Sequence, residues 1–452
     1  MTQGGFSTLD EALKWLYSAT NYEQKAQIRY NTRTFNLERT QRMLQMLGYP
    51  HTAYPTVHIA GTKGKGSTSA MTAAILHEAG GWKVGLYTSP HLMKMEERIA
   101  VDFAPIGDEA LRACLSRVRS AVEAVTAIGP EWKPTFFELF TVAAFAHFAA
   151  SKVDTAVIEV GLGGRLDATN AVRPVVTGIT PISYDHTGVL GETLTAIATE
   201  KAGIIKEGVP VVTGVQEAEA LSVIEETARK RGARVVRFGR EYRLAEGAGG
   251  EFAVVTPEGR YEGLRLTLLG PRQRENAAMA VTLAEIASAK MGVILSEEAV
   301  RRALGGLVWP GRAEIWSEKP PIVIDAAHNA ASARALVAAL KEKFGDEKCV
   351  LVFAIAQHKD SQGVIEALAD VASEFVVTTI DSPRSSTAEE LAEAVSAKVD
   401  VPVSAVADRK EALALGRQLA GDGILVITGS FYLAGELREV LLRERDGAGD
   451  TA

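Results

Sequence analysis

Ile59-Ala60-Gly61-Thr62-Lys63-Gly64-Lys65-Gly66-Ser67 joins an apolar run at 56–60 to a helix-forming run at 67–79 that Gly80 and Gly81 close. Glycines let a backbone turn tightly and aim its N–H groups at phosphate oxygens. The start of the following helix adds partial positive charge. Lys65 can reach terminal phosphates, and Ser67 or Thr68 can approach a metal ion. The pattern G-x-x-x-x-G-K-[ST] is not met in full, because Gly66 separates Lys65 from Ser67. A glycine-rich turn without a ligand is the plain alternative, and the two lysines of the loop weigh against it. Gly61, Thr62, Lys63, Gly64, Lys65, Gly66 and Ser67 are therefore the expected phosphate cradle.

Outward from this loop the chain alternates apolar strands with helices, the pattern of an α/β protein with mainly parallel sheets. Strands are expected at 84–88, 153–160, 175–180 and 209–213, and helices at 108–125, 135–151 and 194–205. From about 235 to 269 short segments broken by Gly and Pro predict an antiparallel appendage. Helices follow at 274–290 and 296–304. The segment 305–312 holds Gly305, Gly306, Pro310 and Gly311, and there the reading divides the chain into domains 1–305 and 306–452. In the second, strands are expected at 322–325, 350–355, 375–379, 401–405 and 424–428.

The bulk numbers exclude some roles. With 452 residues, two or three domains fit. Apolar residues are 47% and charged residues 23%, ordinary for a globular protein. A net charge of −7 gives no support to nucleic-acid binding. The longest apolar run, 139–150, is too short to span a bilayer. Cys114 and Cys349 read as buried thiols of a reducing compartment. No charged start followed by an apolar stretch marks a signal peptide. A cytoplasmic, monomeric protein without nucleic-acid or membrane partners is expected.

Certain residues carry chemistry by position. Glu159 ends a buried apolar strand, where a carboxylate is costly unless paired or bound to metal. Carboxyl ends of parallel strands are also where ligands bind in open α/β sheets. A strand-end Glu turned to solvent is the alternative. Asp185-His186 follows another strand, where His186 alone reads as a satisfied polar residue. Lys201 alone reads as a solvated helix charge. Phe137 offers a flat apolar face, or ordinary core packing. Met43 and Met46 read as core.

Several segments, in order, resemble the folylpolyglutamate synthase/dihydrofolate synthase family of the Mur ligase superfamily. They are FNLERTQRMLQMLGYP at 35–50, GTKGKGS at 61–67, TSPHL at 88–92, ERI at 97–99, TFFELFT at 135–141 and EVGLGGRLDATN at 159–170. DHTGVLGETLTAIATEKAGIIK at 185–206, WPGRAE at 309–314 and DAAHN at 325–329 complete the set. The resemblance implies an N-terminal P-loop ATPase-like Mur ligase central domain and a C-terminal Rossmann-like Mur ligase domain, with the active site in the cleft between them. It implies a ligase that uses ATP to add L-glutamate to the γ-carboxylate of a (tetrahydro)folate through an acyl phosphate. Dihydrofolate synthesis from dihydropteroate is a second activity the family offers.

What the resemblance implies about single residues is specific. Ser89, Glu159 and His186 are similar to the family's Mg²⁺ ligands, with two Mg²⁺ sites expected. Lys201 in EKAGI matches a lysine that the family carbamylates, a modification that requires a neutral amine. Lys65, Glu159, His186 and Lys201 are then the catalytic set. Asn276, Arg312 and Asp325 join the phosphate loop as ATP-binding residues, Asn276 near adenine. Phe137, Leu166, Asp167 and Ala168 match the pteridine contacts, and His328 the incoming glutamate or phosphate. The family's G-x-H-Q has Arg272 in place of His.

Two other readings stay open. One is another Mur-type amide ligase, although only about 60 residues precede Gly61, few for a further domain of roughly 100. The other is a nucleotide-binding relative without chemistry.

Overall fold

The computed structural model describes residues 5–22, 34–184, 187–247, 251–356, 361–381 and 385–449. All five residues of β1 (Thr56–Ala60) are buried, as β-branched Thr56, Val57 and Ile59 require of a strand covered on both faces. It lies in an eight-stranded sheet with β2 (Val84–Tyr87), β3 (Ile99–Val101), β4 (Ala104–Pro105), β5 (Thr155–Glu159), β6 (Val176–Ile179), β7 (Val211–Thr213) and β8 (Val235–Arg237), in the order β4-β3-β2-β5-β1-β6-β7-β8. β3 pairs antiparallel with β2 and with β4 at one edge, and the remaining pairs are parallel.

The order places a reversal beside β1. The chain leaves β1 toward β2 on one side, and leaves β5 toward β6 on the other. Carboxyl ends at such a switch point leave a crevice for ligands. Ile59 is the register partner of Glu159, so the phosphate loop and Glu159 emerge side by side.

Of the boundaries that differ from the sequence reading, two have a clear local cause. The helix after the phosphate loop runs Lys65–Gly80, not from 67, because left-handed Gly64 already completes the turn and its carbonyl accepts from Thr68 N at 2.9 Å. The appendage begins at β9 (Arg243–Glu246), not near 235. Val235–Arg237 instead follows the helix Ala218–Lys230 as a parallel edge strand, the crossover such pairing needs. With β10 (Phe252–Val255) and β11 (Arg260–Leu264), β9 makes a three-stranded antiparallel sheet.

The chain forms two compact units. One holds Met1–His91, Glu96–Arg265 and Glu275–Leu307, and the other Leu92–Met95, Leu266–Arg274 and Val308–Ala452. The second unit contains β12 (Glu314–Glu318), β13 (Pro321–Ile324), β14 (Cys349–Phe353), β15 (Ala372–Val377), β16 (Val403–Ala405) and β17 (Ile424–Thr428). Their order is β12-β13-β17-β14-β15-β16, parallel except for the β12–β13 pair. β12 was not expected: its residues are partly exposed and polar at both ends, so it carries no apolar run.

Cys114 and Cys349 are buried free thiols, and burial pushes Cys349 up to about 12. Met43 is fully buried, but Met46 is 56% exposed and does not belong to the core. Among the described residues no helix is long and apolar enough to cross a membrane. Phe353 and Phe375, both fully buried, meet edge to face at 6.0 Å in the centre of the second unit. Phe353→Ala is expected to cost about 3–5 kcal/mol of stability by leaving a cavity there. Urea unfolding measures it, and an unchanged midpoint would show that this ring is not central to the core.

Candidate active site

The phosphate loop is shaped by what its glycines lack. Gly61 has φ +141°, and a methyl there would overlap the Thr180 hydroxyl at the end of β6. Gly64 has φ +88°, and a methyl there would overlap Asn276 Oδ1. Thr62 N and Lys63 N donate to Pro181 O at 3.0 and 3.4 Å, so these two N–H groups brace the loop and do not point to a phosphate. The donors for an anion are the first-turn N–H groups of Lys65, Gly66 and Ser67, which no helical carbonyl reaches. Asn276, buried at the start of the helix Pro271–Lys290, supports Gly64 from below.

Lys201 is not a solvated helix charge. It is 5% exposed, and its Nζ donates to Gly61 O at 2.8 Å. Its helix, Leu194–Ala202, starts where Thr193 accepts from Ala196 N. Gly61, Thr62, Lys65, Val160, Gly161 and Lys201 share a cleft of about 30 Å³. Lys65 therefore stands beside a helix N-terminus, a concentration of positive charge suited to a transferring phosphoryl group, and Lys201 opens into the same cleft.

Glu159 is buried at the end of β5, and its Oε2 accepts from Ser89 N at 3.0 Å. This contact brings together two of the three expected metal ligands. The third, His186, lies with Asp185 outside the described residues. Thr62 holds the segment just before them, since Ser183 N donates to Thr62 Oγ1 at 3.2 Å. Among the described residues no group of three His, Cys, Asp or Glu side chains is placed to hold a metal. The carboxylate of Glu159 and the hydroxyl of Ser89 are hard oxygen donors, the chemistry that Mg²⁺ prefers.

Phe137, half-buried, lies over Gly161, where a methyl would overlap the ring, and 6.1 Å from the Tyr87 ring. The neighbouring loop is organised from inside. Asp167 accepts from Leu162 N at 2.9 Å, from Thr169 N at 3.0 Å and from the Thr169 hydroxyl. Asp167 and Ala168 are buried, so they set the loop's shape, while Leu166 is half-exposed. His58 in β1 completes the network, with Nε2 2.9 Å from Thr169 Oγ1. The Thr169 hydroxyl has one proton and gives it to Asp167, so His58 Nε2 is the donor to Thr169. Burial pushes His58 down to about 3, and Lys206 adds to this. Burial raises Asp167, opposed first by the Thr169 hydrogen bond. Sequence reasoning passed over His58, whose signal was a lone imidazole in an apolar strand.

The second unit gathers its own polar group. Asp325 accepts from Ala313 N and Ala327 N, both at 2.7 Å. Burial pushes it up to about 6 against the pull of Arg312. The Arg312 guanidinium lies 4.8 Å from the centre of the Phe431 ring, and the His328 ring lies 5.5 Å from the same ring. His328 Nδ1 lies 3.0 Å from Ala326 O. The segment carrying Arg312 is anchored by Glu314, which accepts from Arg438 Nε and Nη2 and from Gly311 N. Phe431 and Arg438 were not expected; an aromatic or an arginine in a helix gives no sign of a partner over a hundred residues away.

The Mur ligase middle domain family matches residues 108–284, and the Mur ligase, glutamate ligase domain family matches 311–431. The dihydrofolate synthase/folylpolyglutamate synthase of Bacillus subtilis is 36% identical over 449 residues, covering 96% of this chain and all of that protein. The Mycobacterium tuberculosis folylpolyglutamate synthase structure with ADP and AMPPCP is 34% identical and superposes with a TM-score of 0.83, covering 90% of this chain and 95% of the other. An FPGS structure with AMPPCP and folate is 32% identical, with a TM-score of 0.80, 96% coverage here and 100% there.

The His58 network sets a pH dependence. A histidine whose folded value lies below its unfolded one contributes stability above about pH 6.5, lost as pH falls toward 3. His58→Gln, which keeps a donor toward Thr169, is expected to show a shallower fall in Tm between pH 7 and 4 than the parent. Parallel Tm curves would mean that the acid limb arises elsewhere.

Proposed function

The chain belongs to the folylpolyglutamate synthase/dihydrofolate synthase family of Mur ligases, and from that premise we propose how its residues divide the work. It is an ATP-dependent carboxylate–amine ligase that adds L-glutamate to the γ-carboxylate of a folate. Dihydropteroate is assigned as a second acceptor of glutamate at the same site. The observation that carries the assignment is the meeting of the phosphate loop, Lys201 and Glu159 at the carboxyl ends of β1 and β5.

Amide formation from a carboxylate is uphill in water, so the carboxylate oxygen must become a leaving group. Attack of that oxygen on the γ-phosphorus of ATP releases ADP and gives an acyl phosphate. The amine of glutamate then attacks the acyl carbon, and phosphate leaves. Lys65 and the first-turn N–H groups hold the phosphoryl oxygens as charge moves among them. Gly61 and Gly64 let the backbone approach closely enough. Ser89 and Glu159, with His186, are assigned to Mg²⁺. When bound, the ion neutralises phosphate charge and orients its oxygens. A second Mg²⁺ is assigned beside Lys201, whose carbamate would supply the anionic oxygens that an ammonium lacks. Phe137 and Leu166 are assigned to the pteridine, on a loop that Asp167 and Ala168 shape. In the second unit, Arg312 is assigned to phosphate, Asp325 to ribose hydroxyls, and His328 to the incoming glutamate or phosphate. Two buried free thiols support a cytoplasmic setting. A monomer without nucleic-acid or membrane partners completes the reading.

Incubating the protein with ATP, glutamate and either tetrahydrofolate or dihydropteroate tests the substrates. Phosphate release that requires both glutamate and one of these acceptors is expected; none with either acceptor overturns the assignment. Lys65→Ala is expected to lose at least about a hundredfold in turnover with an unchanged Tm, since its charge serves the nucleotide and not the core. Normal turnover in that variant would remove Lys65 from the site.

Lys201→Ala and Lys201→Arg are both expected to lose most activity, and acetate to restore part of it in the alanine variant alone. Crystals grown with bicarbonate should show density beyond Nζ. A bare amine together with a fully active arginine variant would refute the carbamate.

A further inference from the structure

Arg39 touches none of the groups assigned above, yet it is 4% exposed and all three of its guanidinium nitrogens donate hydrogen bonds. It stands on the helix Leu37–Met46, in the motif FNLERTQRML, to which no role has been given. Its Nε and Nη2 donate to Glu138 Oε1 at 3.1 and 2.8 Å. Nη1 donates to Glu131 O at 3.2 Å, and Nη2 also to Thr34 O at 2.9 Å. Glu138 is itself 5% exposed, and its other oxygen accepts from Thr135 N at 2.7 Å. Glu138 N in turn donates to Thr135 Oγ1 at 3.2 Å, closing a capping box on the helix Phe136–Ala150.

We propose that Arg39 is a positioning residue for the pteridine-facing ring of Phe137, acting through Glu138 on the first turn of the helix Phe136–Ala150. The inference rests on the assignment of Phe137 to the pteridine. Phe137 lies between Thr135 and Glu138, inside the capping box. Its ring has little latitude, because it covers Gly161 where even a methyl would overlap it. A small rotation of that first turn moves the ring relative to the cleft that Gly161 shares with Lys65 and Lys201.

A buried ion pair is a poor means of adding stability, since desolvation offsets most of the attraction. Burial indeed raises Glu138, with Arg39 pulling the other way. What a planar guanidinium supplies is angle: a rigid fork that fixes Glu138 against two backbone carbonyls. A lysine keeps the charge but has no fork. The misplacement it permits falls on one face of the site, and small misplacements cost rate and affinity steeply.

The test is a double-mutant cycle of Arg39→Lys with Phe137→Ala, read as KM for tetrahydrofolate, KM for ATP, kcat and Tm. Arg39→Lys and Phe137→Ala are each expected to raise the tetrahydrofolate KM about tenfold with the ATP KM unchanged. The double variant should be no worse than Phe137→Ala, since Arg39 has no route to the pteridine once the ring is gone. Independent multiplication of the two effects, or an ATP KM that rises in parallel, overturns the inference. Phe137→Ala with an unchanged tetrahydrofolate KM overturns the assignment of Phe137, and the inference with it. Should Arg39→Lys not fold, Glu138→Gln leaves one acceptor oxygen where two are used, so either the Arg39 fork or the bond from Thr135 N is lost. The same KM split is expected there, and its absence counts against the proposal.

Discussion

Ile59 and Glu159 are register partners in a parallel pair, and the next residue after β1 is a glycine whose missing methyl is the space taken by the Thr180 hydroxyl. That packing brings three strand ends within one crevice: β1 with the phosphate loop, β5 with its carboxylate, β6 with the turn that leads to Pro181. Pro181 then receives the N–H groups of Thr62 and Lys63, so the loop is held by the strand beside it. The Gly61 carbonyl, turned the other way, is where Lys201 is fixed. A fold of this kind locates its chemistry by strand order, and side chains refine it.

Buried polar groups do the refining. Arg39 with Glu138, Asp167 with Thr169 and His58, and Arg438 with Glu314 each bind segments far apart in sequence, and each supports a segment that carries an assigned residue. None is an efficient source of stability, because taking charges and polar atoms from water opposes their mutual attraction. Their directional bonds instead select one arrangement of loops that apolar contacts alone would leave loosely specified.

Strand–helix alternation and the glycine-rich turn after β1 were legible because apolar periodicity and glycine spacing are local signals. β17 fell at 424–428 as read, and the helix Asp108–Thr126 within a residue. The start of the phosphate-loop helix was misjudged because Gly64's backbone angle, and not its neighbours' propensity, sets it. Glu159 and Lys201 were legible as unusual only by position or by resemblance; that Lys201 bonds the loop itself, 140 residues earlier, is a tertiary fact. β12, Phe431 and Arg438 were illegible for the same reason. Met46 shows the opposite error, an apolar residue at helical spacing that is left exposed.

The short segments Leu92–Met95 and Leu266–Arg274 belong with the C-terminal residues, so the chain passes between the two units five times, at 91/92, 95/96, 265/266, 274/275 and 307/308. Gly435 has no room for a methyl because the Leu92 carbonyl occupies that space, Gly311 sits against the Leu92 side chain, and Arg274 pairs with Glu342. Recombination between relatives is constrained accordingly. A chimera spliced once near residue 306 would set one parent's Leu92–Met95 and Leu266–Arg274 against the other parent's glycines and acids. Exchange that respects the packing must carry three pieces of sequence together.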